Sequence, residues 1–259
     1  MKATLKIIGS RAGSPIKGNP ASGYLLKTID GNILIDCGSG VVAQLEDEEV
    51  DNLNAIIISH RHADHCLDIM ALAYKLTFPC LKKKIPLYCN GETKKTLLQY
   101  DTVFGISTLD TMRTPVATSF DFHEVTTGDD FIVLNKYTFN TFKMIHPVDT
   151  MAIKSVDFEF IFSADGAFTD AFERFCKGIK ILLIESTYVT EEGHDLMKHG
   201  HMTASLVGQL AARIGVRRLI VTHLADQNDA KITLELIRKE FAGDVILALP
   251  NEEIALGEY

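Results

Sequence analysis

The sequence Ser-His-Arg-His-Ala-Asp-His occupies residues 59–65 and directly follows an apolar run at residues 55–58. It places three imidazoles and one carboxylate within the six positions from His60 to His65. Nitrogen and oxygen donors of this kind suit Zn²⁺, and more loosely Mn²⁺ or Fe²⁺. A solvated His-rich loop is the alternative, but ordinary surface seldom holds ligand-type residues at this density. The motif therefore predicts a metal site at the mouth of a buried strand.

Four later apolar segments end in the same way, each in a ligand-type side chain. These side chains are His146, Asp165, Glu185 and His223. In α/β proteins, ligands gather outside the carboxyl ends of strands, so several polar strand ends are expected to meet at one rim. Taken singly, such a residue is often a turn residue or a cap. Beside the first motif, His146, Asp165 and His223 become candidate ligands. Glu185 is either a carboxylate that orients a ligand or a structural one.

The coarse pattern of the chain indicates an α/β fold. Predicted strands at residues 4–9, 23–28 and 32–36, the last two joined by a hairpin at Asp30-Gly31, suggest an antiparallel start. Helical apolar spacing then appears at residues 67–76, 169–176, 203–214 and 230–241. Strands in two groups with helices outside predict an αββα sandwich of two mixed β-sheets. No linker or short-period repeat interrupts the sequence, so we expect a single domain over residues 1–259.

The ligand-type residues, in this order, resemble those of the metallo-β-lactamase superfamily and, within it, the ribonuclease Z-like phosphodiesterases. Residues 7–15, 19–25 and 34–38 carry the resemblance into the N-terminal part, so it covers essentially the whole chain. It implies the metallo-β-lactamase fold. It also implies that one metal is held by His60, His62 and His146. The second would be held by Asp64, His65 and His223, with Asp165 bridging the pair.

Two divalent transition-metal cations are therefore expected, Zn²⁺ ahead of Mn²⁺ or Fe²⁺. Two cations a few ångströms apart repel each other unless anionic groups lie between them, and a carboxylate with a shared hydroxide meets that need. This makes Asp165 the natural bridge. Asp64 is assigned a catalytic role in addition to its role as a ligand.

Residues 200–204, Gly-His-Met-Thr-Ala, match the His-x-Thr signature of the phosphodiesterase branch. In that branch the His is not a metal ligand and contacts the scissile phosphate or the leaving oxygen. Cleavage of a phosphodiester leaves an alkoxide, which a positioned imidazolium can protonate. We predict this catalytic role for His201, the alternative being a helix-terminal residue beside a Thr203 cap. His194 and His199, in the same polar loop, are expected to be solvated or to order the loop.

Departures from related families narrow the activity further. The resemblance disfavours lactam hydrolysis, because one major type of β-lactamase has a Cys at the position of Asp165. It disfavours electron transfer, because di-iron members usually carry a Glu at the position of His62. Transfer-RNA 3′ processing enzymes carry a basic arm, and the segment at residues 147–164 is too short for one, since residues 151–162 read as two strands. Transfer RNA is therefore a disfavoured substrate.

Composition limits the partners. A chain of 259 residues with 46% hydrophobic residues can bury a large core, and its formal net charge of −8 disfavours a broad nucleic-acid footprint. The sequence shows neither a targeting segment nor a membrane span. Five cysteines at irregular spacing argue against a disulfide framework. We expect a cytoplasmic enzyme without a membrane partner, and the family resemblance is compatible with a homodimer.

Three hypotheses for the function follow. The first is a metal-dependent phosphodiesterase for a small or nucleotide-like diester. The second is a hydrolase of thioesters, lactones or other acyl bonds on the same metal centre, where activated water would serve equally. The third is a non-catalytic metal-binding or scaffolding protein. The complete ligand set argues against the third, and His201 with Thr203 favours the first over the second.

Overall fold

The computed structural model describes residues 2–225 and 230–257 of the chain. Its strands form two seven-stranded sheets within these residues. The first sheet contains β1 (Ala3–Gly9), β2 (Gly23–Thr28), β3 (Gly31–Ile35), β4 (Leu53–Ile57), β5 (Ile85–Cys89), β6 (Phe120–Glu124) and the C-terminal β14 (Glu253–Leu256). The strand order is β14-β1-β2-β3-β4-β5-β6. Pairing is antiparallel from β14 to β3 and parallel from β3 to β6.

The second sheet reads in a similar way, from an antiparallel half to a parallel half. It contains β7 (Asp130–Val133), β8 (Tyr137–Lys143), β9 (Met151–Ser155), β10 (Phe160–Phe162), β11 (Ile181–Glu185), β12 (Arg218–Thr222) and β13 (Asp244–Leu247). The strand order is β13-β12-β11-β10-β9-β8-β7. Pairing is antiparallel from β7 to β10 and parallel from β10 to β13. The parallel halves direct the carboxyl ends of several strands to one edge.

Helices cover the outer faces of the sheets. The helices between strands of the first sheet are α1 (Asp47–Asp51), α2 (Ala63–Cys66), α3 (Ile69–Thr77), α4 (Gly91–Phe104) and α5 (Pro115–Ser119), with a short 3-10 turn at Asp110–Met112. The helices between strands of the second sheet are α6 (Asp170–Cys176), α7 (Leu196–His199), α8 (Ala204–Ile214) and α9 (Ala230–Glu240). None of the helices in the described residues is both long and apolar enough to cross a membrane.

The core has three layers, and β3 shows why its sequence is continuously apolar. Ile33 and Ile35 point into the layer between the two sheets, whereas Leu34 packs under the helices of the first sheet. A third layer lies between the second sheet and helices such as α8. Strands buried on both faces need apolar residues at every position. The αββα sandwich predicted from the sequence is confirmed.

Several boundaries differ from the predictions. The segment expected to run as a strand into His146 ends as β8 at Lys143, and Ile145 makes only an isolated bridge with Ala167. The helix predicted at residues 67–76 begins at Ile69 as α3, and the separate short helix α2 precedes it. Gly31 already belongs to β3 and pairs with Thr28, so the hairpin turn is formed by the two residues before it. The prediction of two strands at residues 151–162 is confirmed by β9 and β10. All five cysteines are free.

Candidate metal centre

The loops that follow β4, β8, β10 and β12 meet at one edge of the sandwich and bring together the seven predicted ligands. Ligand-type atoms of four of them lie within 4.8 Å of one another; these four are His60, His62, His146 and Asp165. The other three form an equally tight group, and these are Asp64, His65 and His223. The two groups correspond to the two ligand sets that the family resemblance implied, with Asp165 joining the first.

In the first group, His62 Nδ1 lies 3.1 Å from both His60 Nε2 and His146 Nε2. The carboxylate of Asp165 lies 3.8 Å from His60 Nε2. Ligands of a tetrahedral Zn²⁺ with bonds of about 2.0–2.1 Å are roughly 3.3 Å apart, which is close to these separations. The spacing of the three imidazoles therefore fits a small divalent cation.

The second group is more deeply buried. His223 Nε2 lies 3.1 Å from His65 Nε2 and 3.2 Å from Asp64 Oδ2. Asp165 approaches this group as well, with Oδ2 3.3 Å from His65 Nε2 and Oδ1 3.4 Å from His223 Nε2. Asp165 thus contacts members of both groups, as a shared ligand would.

The ligand-type atoms of the site suit a bound cation better than they suit hydrogen bonds with one another. Asp165 Oδ1 is buried and makes no hydrogen bond to the described residues, although buried polar atoms are normally paired. Burial lowers the pKa of His60 well below its ordinary value, and burial also lowers the pKa of His62 and His146. These rings are therefore neutral at pH 7, and neutral imidazole is the form that binds a metal.

The carboxylates act in the opposite direction at His65. Burial lowers the pKa of His65, but the charges of Asp165, Asp64 and Asp36 outweigh it and raise that pKa well above its ordinary value. Burial raises the pKa of Asp165, but His223 and His65 more than offset this and hold that pKa well below its usual range. In the metal-free chain a proton on His65 therefore balances part of the negative charge that a cation would balance.

The first sheet orients two of the imidazoles through Asp36. This buried residue follows β3 and accepts a hydrogen bond from the Ser59 hydroxyl at 3.0 Å and one from His65 Nδ1 at 2.7 Å. The Ser59 hydroxyl lies 3.0 Å from His60 Nδ1. Each ring thus turns its Nε2 atom towards the centre. No role was predicted for Asp36, although it follows an apolar strand as several of the predicted ligands do.

The remaining candidate ligands are held by backbone and hydroxyl groups. His146 Nδ1 donates to the Gly200 carbonyl at 2.9 Å, and the Gly13 amide donates to Asp64 Oδ2 at 2.7 Å. His223 Nδ1 lies 3.0 Å from the Thr187 hydroxyl. The loop after β1 and the loop after β11 therefore close around the site, which the sequence analysis had not foreseen for Gly13 or Thr187.

Three of the strand-end turns at the site contain non-glycine residues with positive φ. These are Asp36, Ala164 and His223, with φ values of 58°, 50° and 56°. L-residues rarely adopt this left-handed region, and each one that does costs about 1–2 kcal/mol. These sharp turns direct the candidate ligands Asp165 and His223, and the orienting carboxylate of Asp36, towards the centre.

Glu185 lies beside the ligands as a buried carboxylate that organises its surroundings. It accepts from the amides of Gly166 and Met202 through Oε1 and from the amide and hydroxyl of Thr187 through Oε2. His201 Nδ1 lies 3.1 Å from Oε1. Of the two interpretations left open for Glu185, the geometry favours a carboxylate that orients other groups.

His201 lies two residues before Thr203, the residue that caps α8 by accepting from Leu206 N. Its ring packs beside those of His146 and His223, with centroids 5.2 Å and 5.9 Å away. Burial lowers the pKa of His201, but the charge and hydrogen bond of Glu185 outweigh it and raise the pKa to about 9. The ring is therefore a proton donor at neutral pH in the metal-free chain.

His201 also has a ligand-type atom within 4.8 Å of those of Asp165 and His223. A third grouping at the site thus overlaps the second one. His194 and His199 lie further out. His194 is exposed and stacks on the Tyr188 ring at 3.8 Å, while His199 Nδ1 lies 3.0 Å from the Tyr188 hydroxyl. Both contacts agree with the predicted role in ordering the loop.

A cavity of about 470 Å³ opens onto the centre. Its lining includes Asp64, Asp165, His201 and Tyr188, together with the loop at residues 12–14. A small molecule in this cavity could contact both ligand groups and the imidazole of His201 at once. The arrangement can therefore hold cations, an electrophilic ester and a proton donor in one place.

Residues 31–224 match the family model of the beta-lactamase superfamily domain. The chain belongs to the beta-lactamase superfamily. It is 28% identical over 227 residues to the probable metallo-hydrolase YhfI of Bacillus subtilis (strain 168), covering 86% of this chain and 87% of that protein. The family predicted from the sequence is thereby confirmed, and a superfamily member with this His and Asp cluster is a metal-dependent hydrolase.

Solved structures share the fold. The crystal structure of the metallo-beta-lactamase fold protein YhfI has a TM-score of 0.83 at 23% identity, covering 98% of this chain and 99% of that chain. Human tRNase Z, short form, and a diphosphatase from the PhnP family each have a TM-score of 0.75 at 18% identity, covering 98% or 97% of either chain. At this identity the likeness concerns the fold.

Proposed function

We propose that this superfamily member is a dinuclear metal-dependent phosphodiesterase acting on a small or nucleotide-like diester. One observation carries the proposal. Two adjacent groups of His and Asp ligand atoms share Asp165, and the imidazole of His201, held by Glu185, lies beside both at an open cavity. A metal pair and a proton donor on the same face match the needs of phosphodiester cleavage.

One cation would be held by His60, His62 and His146, and the other by Asp64, His65 and His223. Asp165 would contact both. When bound, the cations would supply Lewis acidity and lower the pKa of water so that it attacks at neutral pH. Zn²⁺ suits this mixture of imidazole and carboxylate donors, and Mn²⁺ or Fe²⁺ are the alternatives.

His201 supplies the proton. Glu185 accepts from Nδ1 at 3.1 Å, which leaves Nε2 as the ring nitrogen that serves the leaving oxygen. Asp64 stays anionic: burial raises its pKa, but His65 and His223 lower it further than burial raises it. Similarity to a diphosphatase from the PhnP family and to tRNase Z supports a phosphoester substrate over an acyl ester.

The first test is metal content. We expect elemental analysis of the replete protein to give two transition-metal ions per chain, because the seven ligands suffice for two sites with a shared carboxylate. A preparation that never exceeds one equivalent under zinc, manganese and iron loading would contradict the dinuclear centre.

The second test is a substrate panel. The metal-loaded protein is incubated with bis(p-nitrophenyl) phosphate, an acyl-thioester and a lactam. We expect release of p-nitrophenolate from the diester and little turnover of the other two. Preferential hydrolysis of the thioester would support the acyl-hydrolase hypothesis instead, and a protein that binds metals but turns over none of them would support a non-catalytic role.

The third test concerns His201. His201→Ala should lower the turnover of a diester with a poor leaving group by roughly 10²- to 10⁴-fold, the usual contribution of a general acid. Part of the loss should disappear with p-nitrophenolate, which needs less protonation. His123→Ala is the control, because His123 lies on β6. Equal losses with both leaving groups would identify a phosphate contact, and loss of metal would identify a ligand.

The fourth test concerns transfer RNA. Residues 147–164 contain β9 and β10, and residues 166–200 contain α6, β11 and α7. These elements leave no room in the two segments for a long basic arm, and most nucleic-acid affinity comes from basic contacts to phosphates. We therefore expect slow processing of a transfer-RNA precursor. Specific 3′ cleavage at low protein concentration would contradict this expectation.

A further inference from the structure

The hydroxyl of Thr187 lies at the junction between the metal ligands and the proton donor. Thr187 is buried two residues after the end of β11. Its Oγ1 lies 2.7 Å from Glu185 Oε2, 3.0 Å from His223 Nδ1 and 3.2 Å from His201 Nδ1. A single oxygen atom thus contacts both His223, a candidate metal ligand, and His201, the proposed proton donor.

The direction of these hydrogen bonds follows from a count of protons. A hydroxyl has one proton to donate and two lone pairs that accept. Its shortest contact is to Glu185, a carboxylate that already accepts from backbone amides, so the proton goes there and not to the His223 carbonyl at 3.3 Å. The hydroxyl must then accept from His223 Nδ1.

This assignment fixes the tautomer of His223. With the proton on Nδ1, Nε2 faces Asp64 Oδ2 and His65 Nε2, at 3.2 Å and 3.1 Å, and is the nitrogen that a bound cation would take. A metal ligand needs the lone pair of that nitrogen free, and a hydrogen bond at the far nitrogen is the usual way to secure it. The same hydroxyl anchors the carboxylate that holds His201.

We propose that Thr187 is a positioning residue that couples the second ligand group to His201 through one hydroxyl. The proposal rests on the proposed function. Thr187→Val keeps the shape of the side chain but removes both hydrogen bonds. His223 then loses the acceptor that selects its tautomer, and Glu185 loses one of the donors that fix its orientation.

Metal affinity gives the first readout, measured by competition between zinc and a chromophoric chelator. Thr187→Val should weaken one of the two zinc equivalents by about 10- to 100-fold and leave the other within about 3-fold, because His60, His62 and His146 do not contact the hydroxyl. Thr187→Ser should restore the affinity of wild type. Thr233→Val is the matched control, since Thr233 is buried on α9 and its hydroxyl has no hydrogen-bond partner among the described residues.

Imidazole ¹H–¹⁵N spectra of the metal-free protein give the second readout. Wild type and Thr187→Ser should show His223 protonated at Nδ1, and Thr187→Val should show a mixture of tautomers. Thermal unfolding of the metal-free variants separates this effect from a loss of folding, which would weaken both zinc equivalents together.

Two outcomes would overturn the role of Thr187 while leaving the proposed function intact. One is a Thr187→Val variant that binds both zinc equivalents as tightly as wild type. The other is a loss of affinity that Thr187→Ser shares in full. Failure of the proposed function looks different, because wild type itself would then bind fewer than two equivalents.

Discussion

Each sheet orients its imidazoles with one carboxylate and one hydroxyl, but the oriented imidazoles differ in their exposure and in what they face. In the first sheet, Asp36 accepts from the Ser59 hydroxyl, which faces His60, and also from His65. In the second sheet, Glu185 accepts from the Thr187 hydroxyl, which faces His223, and also from His201.

The difference lies in exposure and in what the outer imidazole faces. His60 and His65 are both fully buried, and both turn Nε2 towards other ligands. The side chain of His201 is 16% exposed and lines the cavity. A shared arrangement can therefore supply two metal ligands where it is sealed, and one ligand with one substrate-facing acid where it opens to solvent.

The largest effect is expected where the two combinations meet, at Asp165. Asp165→Asn should weaken both metal equivalents by more than about 100-fold, beyond the range seen for residues that only orient ligands. Titration with zinc against a chelator measures this. Asp121→Asn, on the exposed face of β6, is the control. Loss of only one equivalent would show that the carboxylate is not shared.

The two orienting carboxylates should separate when compared directly. Asp36→Asn should weaken metal binding by about 10- to 100-fold, because Asp36 orients His65, which we propose as a ligand. Glu185→Gln should leave metal binding by the first ligand group unchanged. It should lower turnover of a poor-leaving-group diester by at least about tenfold, because Glu185 holds His201, the proposed acid. If both variants lost metal affinity and turnover in parallel, the functional difference between the sheets would be refuted.

The pH dependence of stability should have opposite signs at His201 and His60 in the metal-free protein. The pKa of His201 is raised to about 9 from an unfolded value of 6.5, so its contribution is complete below pH 6.5 and is lost as pH rises through 9. Wild type should therefore melt on the order of 5 °C above His201→Gln at pH 6 and level with it above pH 9. Burial lowers the pKa of His60, so wild type should lose stability relative to His60→Gln as pH falls below 6.5.

Thermal melts across pH 5 to 10 in the presence of chelator would check both halves of this prediction. A difference between wild type and His201→Gln that stays constant over this range would mean that the imidazole is uncharged when folded.

The smallest effect is expected at the outer edge of the first group. Glu92, on α4, joins the loop of Arg61 to the loop of Asp149. It accepts from Arg61 Nε at 2.6 Å and from the Asp149 amide at 2.9 Å. The side chains of Glu92 and Arg61 are about two-fifths exposed, and exposed pairs contribute only about 0–1 kcal/mol. Glu92→Gln should therefore change zinc affinity by less than about 3-fold. A larger change would mean that this clamp sets the geometry of the open group.

Several candidate ligands could be predicted from the sequence because a polar residue follows an apolar run. His60, Asp165 and His223 all stand out in this way, and the family resemblance supplied their grouping. Asp36 presents the same signal but was assigned no role, since a carboxylate that orients a ring looks identical in sequence to one that binds a metal. The hydroxyls of Ser59 and Thr187 carry no signal at all, because only packing brings them to a ring nitrogen.

The helices show a similar limit. The helix predicted at residues 203–214 matches α8, because its caps Thr203 and Gly215 are local chemistry. The 14-residue α4 was not predicted, since Thr93 and Leu97 are its only buried residues and its apolar stripe is correspondingly weak. Asn90 caps this helix by accepting from Thr93 N, a signal that the sequence did contain.

The positive φ angles at Asp36, Ala164 and His223 place a cost in the backbone as well as in the side chains. Natural domains have only about 5–15 kcal/mol of stability, so three turns at about 1–2 kcal/mol each consume a sizeable part of it. Mutations that destabilise the chain elsewhere are therefore tolerated less readily than in a relaxed fold. Bound metal widens that margin by mass action, so the tolerance of this protein to mutation should rise and fall with the supply of metal in its surroundings.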